Sequence, residues 1–383
     1  VVVGVAAVNR TPQRRYVLTH WKGLGDVVLM TALVRDIKLA YGDDVQLSVR
    51  TTANNIWENN PYLSPLKRGA PGVRTIEISY RNALGRAARG AREHFLCAYY
   101  DDFEQKTGLQ VPMTRPGGDL HLSEDECQPW ISGPYWVVIA GGYNNITTKQ
   151  WPYSRYQEVV DRLRQLGIHC VQAGSTDAGH VHPPLNGVLN LVGQTDHRRD
   201  LLTLLYHARG VICGITGAMH IAAAFDRPCV VIGGARESKE FVAYDREAQF
   251  RPGCPPVAVP HVFLHSLGQL PCGPTHGCWR KRTVPIEQKD LGKDFVRLCR
   301  RPVERADGWF PACMELISTD SVVDAVMSYY RDGTLDISEL NDPESRRPPR
   351  LLRPPQRVKP PKPANLVQPR PLTTGVTKNR SWS

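Results

Sequence analysis

Residues 20–38 read HWKGLGDVVLMTALVRDIK, two glycines and an aspartate set between a β-prone run and an amphipathic one. Before them, Tyr16-Val17-Leu18-Thr19 has the composition of a short strand. After them, Val27, Met30, Leu33/Val34, Ile37 and Ala40/Tyr41 recur at helical spacing, with Arg35, Asp36 and Lys38 on the other face. Gly23 and Gly25 therefore lie in a tight turn from strand to helix, where backbone without Cβ atoms can approach a ligand, and Asp26 opens the helix. A dinucleotide fingerprint would need a third glycine where the chain has Val28, and an acidic residue closing the second strand. Asp43 and Asp44 instead precede that strand, residues 45–49, which runs into Arg50. A P-loop would need Gly-Lys-Ser/Thr where the chain has Gly25-Asp26-Val27. Two readings remain: a turn that offers a carboxylate to a substrate, or an aspartate that only caps its helix. A carboxylate in that place is expected to be acid-shifted by the helix N-terminus, and so to be a weak base.

The rest of the chain repeats the pattern. Upstream of about Asp125, short apolar runs alternate with amphipathic stretches, as in an open parallel sheet. Residues 128–134, QPWISGP, read as a linker between domains. Beyond it, residues 136–140, 170–173, 210–213 and 229–232 read as strands, and 154–166, 201–208 and 218–225 as helices. Two such α/β domains facing a cleft would bind a ligand at the carboxyl ends of their strands. There the chain reads Cys213-Gly214-Ile215-Thr216-Gly217-Ala218-Met219-His220, a strand turning through glycines into a helix, with amides and a hydroxyl suited to a diphosphate. Lys149, after the first strand of the same half, adds positive charge. Taken singly, Gly214 and Gly217 read as turn residues, Lys149 as a surface lysine and His220 as a packed histidine; their shared placement points to a site.

Composition narrows the setting. A chain of 383 residues has room for two domains, and ten cysteines are too dilute for a disulfide scaffold. The opening VVVGVAAV is apolar but lacks the basic flank and cleavage pattern of a secretory signal, and no stretch is long enough to span a bilayer. The expected setting is the cytoplasm, with peripheral contact to the inner membrane face. The net charge is +11, but ten Lys/Arg against two Asp/Glu lie in residues 341–383, so the folded part is nearly balanced. That proline-rich basic tail is expected to be extended, serving either as a solubilising spacer or as a means of holding the protein near DNA or an anionic surface.

With both halves laid out, the chain resembles glycosyltransferase family 9, the heptosyltransferase family. The resemblance rests on Gly25-Asp26 with Thr31; Asn60-Pro61-Tyr62-Leu63; Lys149-Gln150-Trp151-Pro152; Leu191-Val192-Gly193-Gln194-Thr195; and Thr216-Gly217-Ala218-Met219-His220 with Ile221 to Ala224. It implies an α/β GT-B fold of two Rossmann-like domains facing a cleft. An acceptor-side domain would span residues 1–130. A nucleotide-sugar-binding domain would span 131–335, with a cysteine-bearing extension at 254–313, and a disordered tail 336–383. It implies an inverting glycosyltransferase using a nucleotide-diphospho-sugar, ADP-heptose by default, with Asp26 as general base in the Gly23/Gly25 turn. Donor contacts would come from Lys149, Gly193, Thr195, Gly214, Thr216, Gly217, Met219 and His220, with no cofactor needed for the chemistry. The acceptor would be a saccharide of the lipopolysaccharide type, another glycan or a protein. The chain departs from the family pattern at Ile215, where an aspartate is usual, and at Ala32, where a proline is usual. Two other classes stay open: a transferase acting on hydroxymethylated DNA bases, and a non-catalytic nucleotide-sugar binder.

Cys272, Cys278, Cys299 and Cys313 are separated by five, twenty and thirteen residues, with Arg280, Lys281, Arg282, Arg300 and Arg301 around them. By spacing alone they read as unliganded thiols, since no Cys-x-x-Cys knuckle is present. The segment is also similar to the extension of autotransporter heptosyltransferases within the same family. That likeness implies a structural iron or zinc on these four cysteines, with His276 as a substitute ligand.

Overall fold

The computed structural model describes residues 14–177, 179–195, 197–285 and 297–354. The N-terminal half is built on three parallel strands, β1 (Arg14–His20) lying between β2 (Val45–Thr51) and β3 (Val73–Glu77). Residues 16–20 of β1 are buried, as a central parallel strand requires. Between β1 and β2 runs α1 (Leu24–Tyr41), and α2 (Arg81–Ala87) and α3 (Phe95–Thr107) follow β3.

The polar face expected on α1 is corrected by the structure, because every residue from Val27 to Ile37 is buried. Arg35 Nε donates to Asp36 Oδ1 at 2.7 Å, and Asp36 accepts further bonds from the Tyr100 hydroxyl (2.6 Å), the Thr114 hydroxyl (2.6 Å) and the Thr114 N–H (3.1 Å). Burial of these charges is tolerated because each finds partners. Only Lys38 stays partly exposed and reaches the Gly42 carbonyl at the helix end.

The second half contains β4 (Trp136–Ile139), β5 (Gly142–Tyr143), β6 (Cys170–Gln172), β7 (His180–Val181), β8 (Leu189–Asn190), β9 (Gly210–Gly214), β10 (Cys229–Gly234) and β11 (Val262–His265). Six of these form a parallel sheet in the order β11-β10-β9-β4-β6-β8, while β5 and β7 pair antiparallel beyond the ends of β4 and β6. Helices α4 (Tyr153–Gln165), α5 (Arg198–His207), α6 (Gly217–Ala224) and α7 (Lys239–Val242) connect them. The strands and helices read from the sequence lie within a few residues of these. On one face of the sheet, α4 and the helix Thr319–Arg331 enclose a core around Trp136 and Trp151. On the other face, α5 and α6 share one continuous core with α1 and α3 of the first half.

That shared core closes the space between the halves. A Cβ on Gly25 would lie 2.6 Å from His220 Cδ2 and 3.2 Å from Gly217 Cα, so the first turns of α1 and α6 touch. Further along, Arg115 donates to the Ala224 carbonyl at 2.8 Å. The buried Arg199 of α5 bonds Glu126 through Nε at 2.8 Å and again through its second nitrogen. Gly25 is therefore needed for a protein–protein approach, not for a positive φ.

Of residues 254–313, Val262–His265 form β11 of the parallel sheet, and beyond it the described residues include the hairpin β12 (Pro302–Arg305) and β13 (Gly308–Pro311). The first part of the tail does not leave the body of the protein. After a short turn at Ile337–Asn341, Ser132 N–H donates to the Arg350 carbonyl and Leu352 N–H to the Trp130 carbonyl, and Arg353 reaches the carbonyls of Asp125 and Gln128. The charge of this stretch and its pairing with the linker explain its capture, while residues 355–383 lie outside the described residues. Among the described residues no helix is long and apolar enough to cross a membrane.

Substituting Gly25→Ala should lower stability by about 1–3 kcal/mol, since the added methyl meets a packed ring and backbone rather than a flexible side chain. A thermal melt of the variant beside Gly23→Ala checks this. At Gly23 a Cβ would meet only the Asp26 carboxylate, at 3.3 Å.

Candidate active site

The carboxyl ends of β1 and β9 face each other where α1 and α6 begin. Asp26 is the third residue of α1, and its Oδ2 accepts the Gly23 N–H at 2.9 Å, so it does cap the helix. The same carboxyl accepts a hydrogen bond from the Tyr80 hydroxyl. Tyr80 stacks on Tyr99 with ring centres 5.8 Å apart, and the Tyr99 hydroxyl donates to the Asp26 carbonyl at 3.0 Å. His20, at the end of β1, is oriented by its Nδ1–H on the Ile78 carbonyl at 2.8 Å.

The acid shift expected from a helix N-terminus is overturned. Burial raises the Asp26 carboxyl above its ordinary value, outweighing the lowering by the Tyr80 hydrogen bond, by His20, by the Gly23 N–H and by Lys149. Closure of the two halves over the turn is the physical reason, and it leaves a carboxylate more basic than the sequence indicated.

Lys149 ends a 3-10 turn, Asn144–Lys149, that follows β4 and β5. Its Nζ lies 2.9 Å from Glu237 Oε1, and Arg236 also donates to that oxygen. Burial lowers the Lys149 ammonium from its usual range, against the raising effect of Glu237 and Asp26. For Glu237 burial acts to raise the carboxyl, yet Lys149 and Arg236 together hold it below its ordinary value. Lys149, Asp26, Tyr80 and Glu237 thus interact electrostatically as one cluster.

The remaining sequence candidates divide. Gly214 lies against the Lys149 carbonyl, with a Cβ position 3.2 Å from it. Thr216 is the N-cap of α6, and its buried hydroxyl has no hydrogen-bond partner among the described residues. Gly217 touches Gly25 and Leu24. Met219 is wholly buried in the shared core and its N–H goes to the Thr216 carbonyl, so its side chain reaches no cleft. His220 is also a core residue, bonded through Nδ1 to Tyr244 at 2.9 Å, and burial keeps it neutral. Gly193, with φ +78°, packs on Thr176 beyond the ends of β6 and β8, and Thr195 is buried nearby. Tyr80, Arg236 and Glu237 were not foreseen. Their only signal is placement just past the carboxyl ends of β3 and β10.

The four distant cysteines do converge. Cys272, Cys278, Cys299 and Cys313 line one cavity with Arg236, Arg280, Arg300 and Arg301, and His276 is not among its lining. All ten cysteines are free thiols. Burial pushes the Cys299 thiol up to about 11 and Cys313 to about 12. As placed, no three His, Cys, Asp or Glu side chains among the described residues form a ready cage for a metal ion.

A carboxyl with a raised value favours the folded state only while protonated, so ionised Asp26 costs stability as the pH rises through that value. Asp26→Asn should therefore melt higher than the unsubstituted protein at pH 7, and the gain should vanish below the ordinary carboxylate value of 3.8, as a series of melts against pH would show.

Residues 75–251 match the family model of glycosyltransferase family 9 (heptosyltransferase). Lipopolysaccharide heptosyltransferase 2 of Salmonella typhimurium (strain LT2) is 26% identical over 157 residues, 37% of this chain and 45% of that protein, and its namesake from Escherichia coli K12 matches to the same extent. The chain thus spans less than half the length of the curated relatives it matches. Among solved structures, the dodecameric iron-containing heptosyltransferase TibC in complex with ADP-D-beta-D-heptose gives a TM-score of 0.55 at 16% identity, over 84% of this chain and 78% of that one. TibC from enterotoxigenic E. coli H10407 gives 0.53 at 17% identity, over 84% and 77%. These likenesses establish the two-domain GT-B fold. Over residues 75–251 and in these relatives, the chain is similar to the heptosyltransferases of glycosyltransferase family 9.

Proposed function

We propose that the protein transfers a sugar from a nucleotide-diphospho-sugar, ADP-heptose by default, to a glycan hydroxyl with inversion at the anomeric carbon. The observation that carries this reading is a carboxylate made more basic by burial and a lysine, held in one electrostatic cluster where two helix N-termini abut. The acceptor oxygen attacks the anomeric carbon while Asp26 takes its proton. The bond from that carbon to the diphosphate breaks, and its electron pair leaves on the phosphate oxygen. Lys149, the unpartnered Thr216 hydroxyl and the first N–H groups of α6 stabilise that charge. In this reading Lys149 keeps its bond to Glu237 and gives a second N–H to the diphosphate when donor binds. The acceptor class follows that of the relatives, a lipopolysaccharide-type saccharide at the cytoplasmic membrane face.

The cysteine cavity is read as a structural metal site. Four thiols line one small cavity and the surrounding arginines would balance the charge of four thiolates, which supports this reading, although the side chains would have to draw together to ligate iron or zinc. Such a metal would tie the extension together. Because burial favours the protonated thiols, its binding must release protons and weaken at low pH.

Asp26→Asn should reduce transfer by about 10²–10⁴-fold while leaving ADP affinity nearly unchanged; persistent transfer would remove Asp26 as the base. Lys149→Ala should weaken ADP binding about tenfold or more in calorimetry. Elemental analysis should find close to one iron or zinc per chain, lost in Cys272→Ser and Cys299→Ser, and a metal-free protein that keeps its fold would refute the structural role.

A further inference from the structure

Past the end of β10 the chain reads Gly233-Gly234-Ala235-Arg236-Glu237 and turns into α7. Glu237 is 7% exposed. Both cations that contact it, Lys149 at 2.9 Å and Arg236, use Oε1, and the buried Oε2 has no hydrogen-bond partner among the described residues. A carboxylate that served only as counter-ion would gain by spreading its bonds over both oxygens, because an unsatisfied buried acceptor carries a desolvation cost.

Its position is equally specific. On one side Glu237 touches Lys149, the group assigned to the diphosphate; on the other its charge acts on Tyr80, whose hydroxyl is bonded to Asp26. The transferred sugar must lie between the diphosphate and the base. Just past the end of the neighbouring strand β9, the Ile215 side chain is apolar and buried, so it offers the sugar no carboxylate. The loop that carries Glu237 is fixed from outside by the cysteine segment: Cys278 N–H donates to the Ala235 carbonyl (3.1 Å), Trp279 N–H to the Arg236 carbonyl (2.9 Å) and Arg236 Nε to the Arg280 carbonyl (2.6 Å). Gly277, at φ +84°, leaves its Cβ position 2.5 Å from the Arg236 carbonyl, an approach that another residue would block. A side chain held so firmly, with one acceptor unspent, is pre-organised for a ligand.

We propose that Glu237 reads the donor sugar, its free Oε2 accepting hydrogen bonds from hydroxyl groups of the transferred residue while Oε1 keeps Lys149 and Arg236 in place. This rests on the donor-site reading above. A site of this kind rejects sugars that lack the matching hydroxyl, because the buried oxygen is then left unpaired.

The test is calorimetric binding of ADP and of ADP-D-β-D-heptose to the unsubstituted protein, Glu237→Gln and Glu237→Asp. Glu237→Asp keeps the counter-charge but withdraws the oxygens, so ADP should bind within about threefold of the unsubstituted protein and ADP-heptose about tenfold or more weaker. In Glu237→Gln, Lys149 loses its counter-ion and ADP binds more tightly, yet the affinity ratio of ADP-heptose to ADP still falls. A ratio unchanged in both variants overturns the inference and leaves Glu237 as a counter-ion only. Deoxy analogues of ADP-heptose on the unsubstituted protein give the same answer without any variant: at least one hydroxyl deletion must weaken binding about tenfold, and if none does the inference falls. An unsubstituted protein that binds neither ADP nor ADP-heptose removes the donor site itself, and this inference with it.

Discussion

The structure turns on one contact, the approach of Gly25 in α1 to Gly217 and His220 in α6. Two helices from different sheets can begin this close together only because Gly25 and Gly217 carry no side chain, which leaves room for the His220 ring at the contact. Their N-termini then direct partial positive charge into the same region, which is where Asp26, Glu237, Lys149 and Arg236 are found. Without this approach each half would present an ordinary solvated turn. With it, water is displaced, burial raises the Asp26 carboxyl and lowers the Lys149 ammonium, and the charges become mutually dependent.

The cysteine extension acts on the same region through backbone rather than through its thiols. Its segment from Gly273 to Arg280 lies along residues 235–237 and takes up the carbonyls of Ala235 and Arg236, and Arg236 both lines the cysteine cavity and bonds Glu237. Whatever holds the four cysteines together also fixes the carboxylate beside Lys149. The segment is therefore a brace for the loop that carries Arg236 and Glu237.

Asp26 shows the usual cost of such a centre. Its capping bond to Gly23 and its bond from Tyr80 favour the ionised form, but burial opposes it more strongly. A helix cap on the surface would be more stabilising and chemically idle. Here the cap is placed under the opposing domain, where burial raises the carboxyl and its ionisation costs stability.

Much of this was legible in the residues. The strand, glycine turn and amphipathic run of residues 16–41 and of 210–225 mark two βα units, and their local rules, period, turn chemistry and capping, act over a few residues only. The same locality sets the limit. Arg35 and Asp36 read as a solvent face because nothing nearby shows Tyr100 and Thr114 arriving to satisfy them. His220 and Met219 read as site residues because their motif is contiguous, whereas the packing of α6 on α1 turns both side chains into the core. Tyr80, Arg236 and Glu237 carry no motif, and the four cysteines no recognisable spacing. Sequence alone determined the two α/β halves, the turn that holds Asp26 and the loop that begins α6. Only the tertiary structure decided that those turns touch, that burial raises the Asp26 carboxyl and that Glu237 stands beside Lys149, because burial and charge pairing depend on distances between residues far apart in the chain.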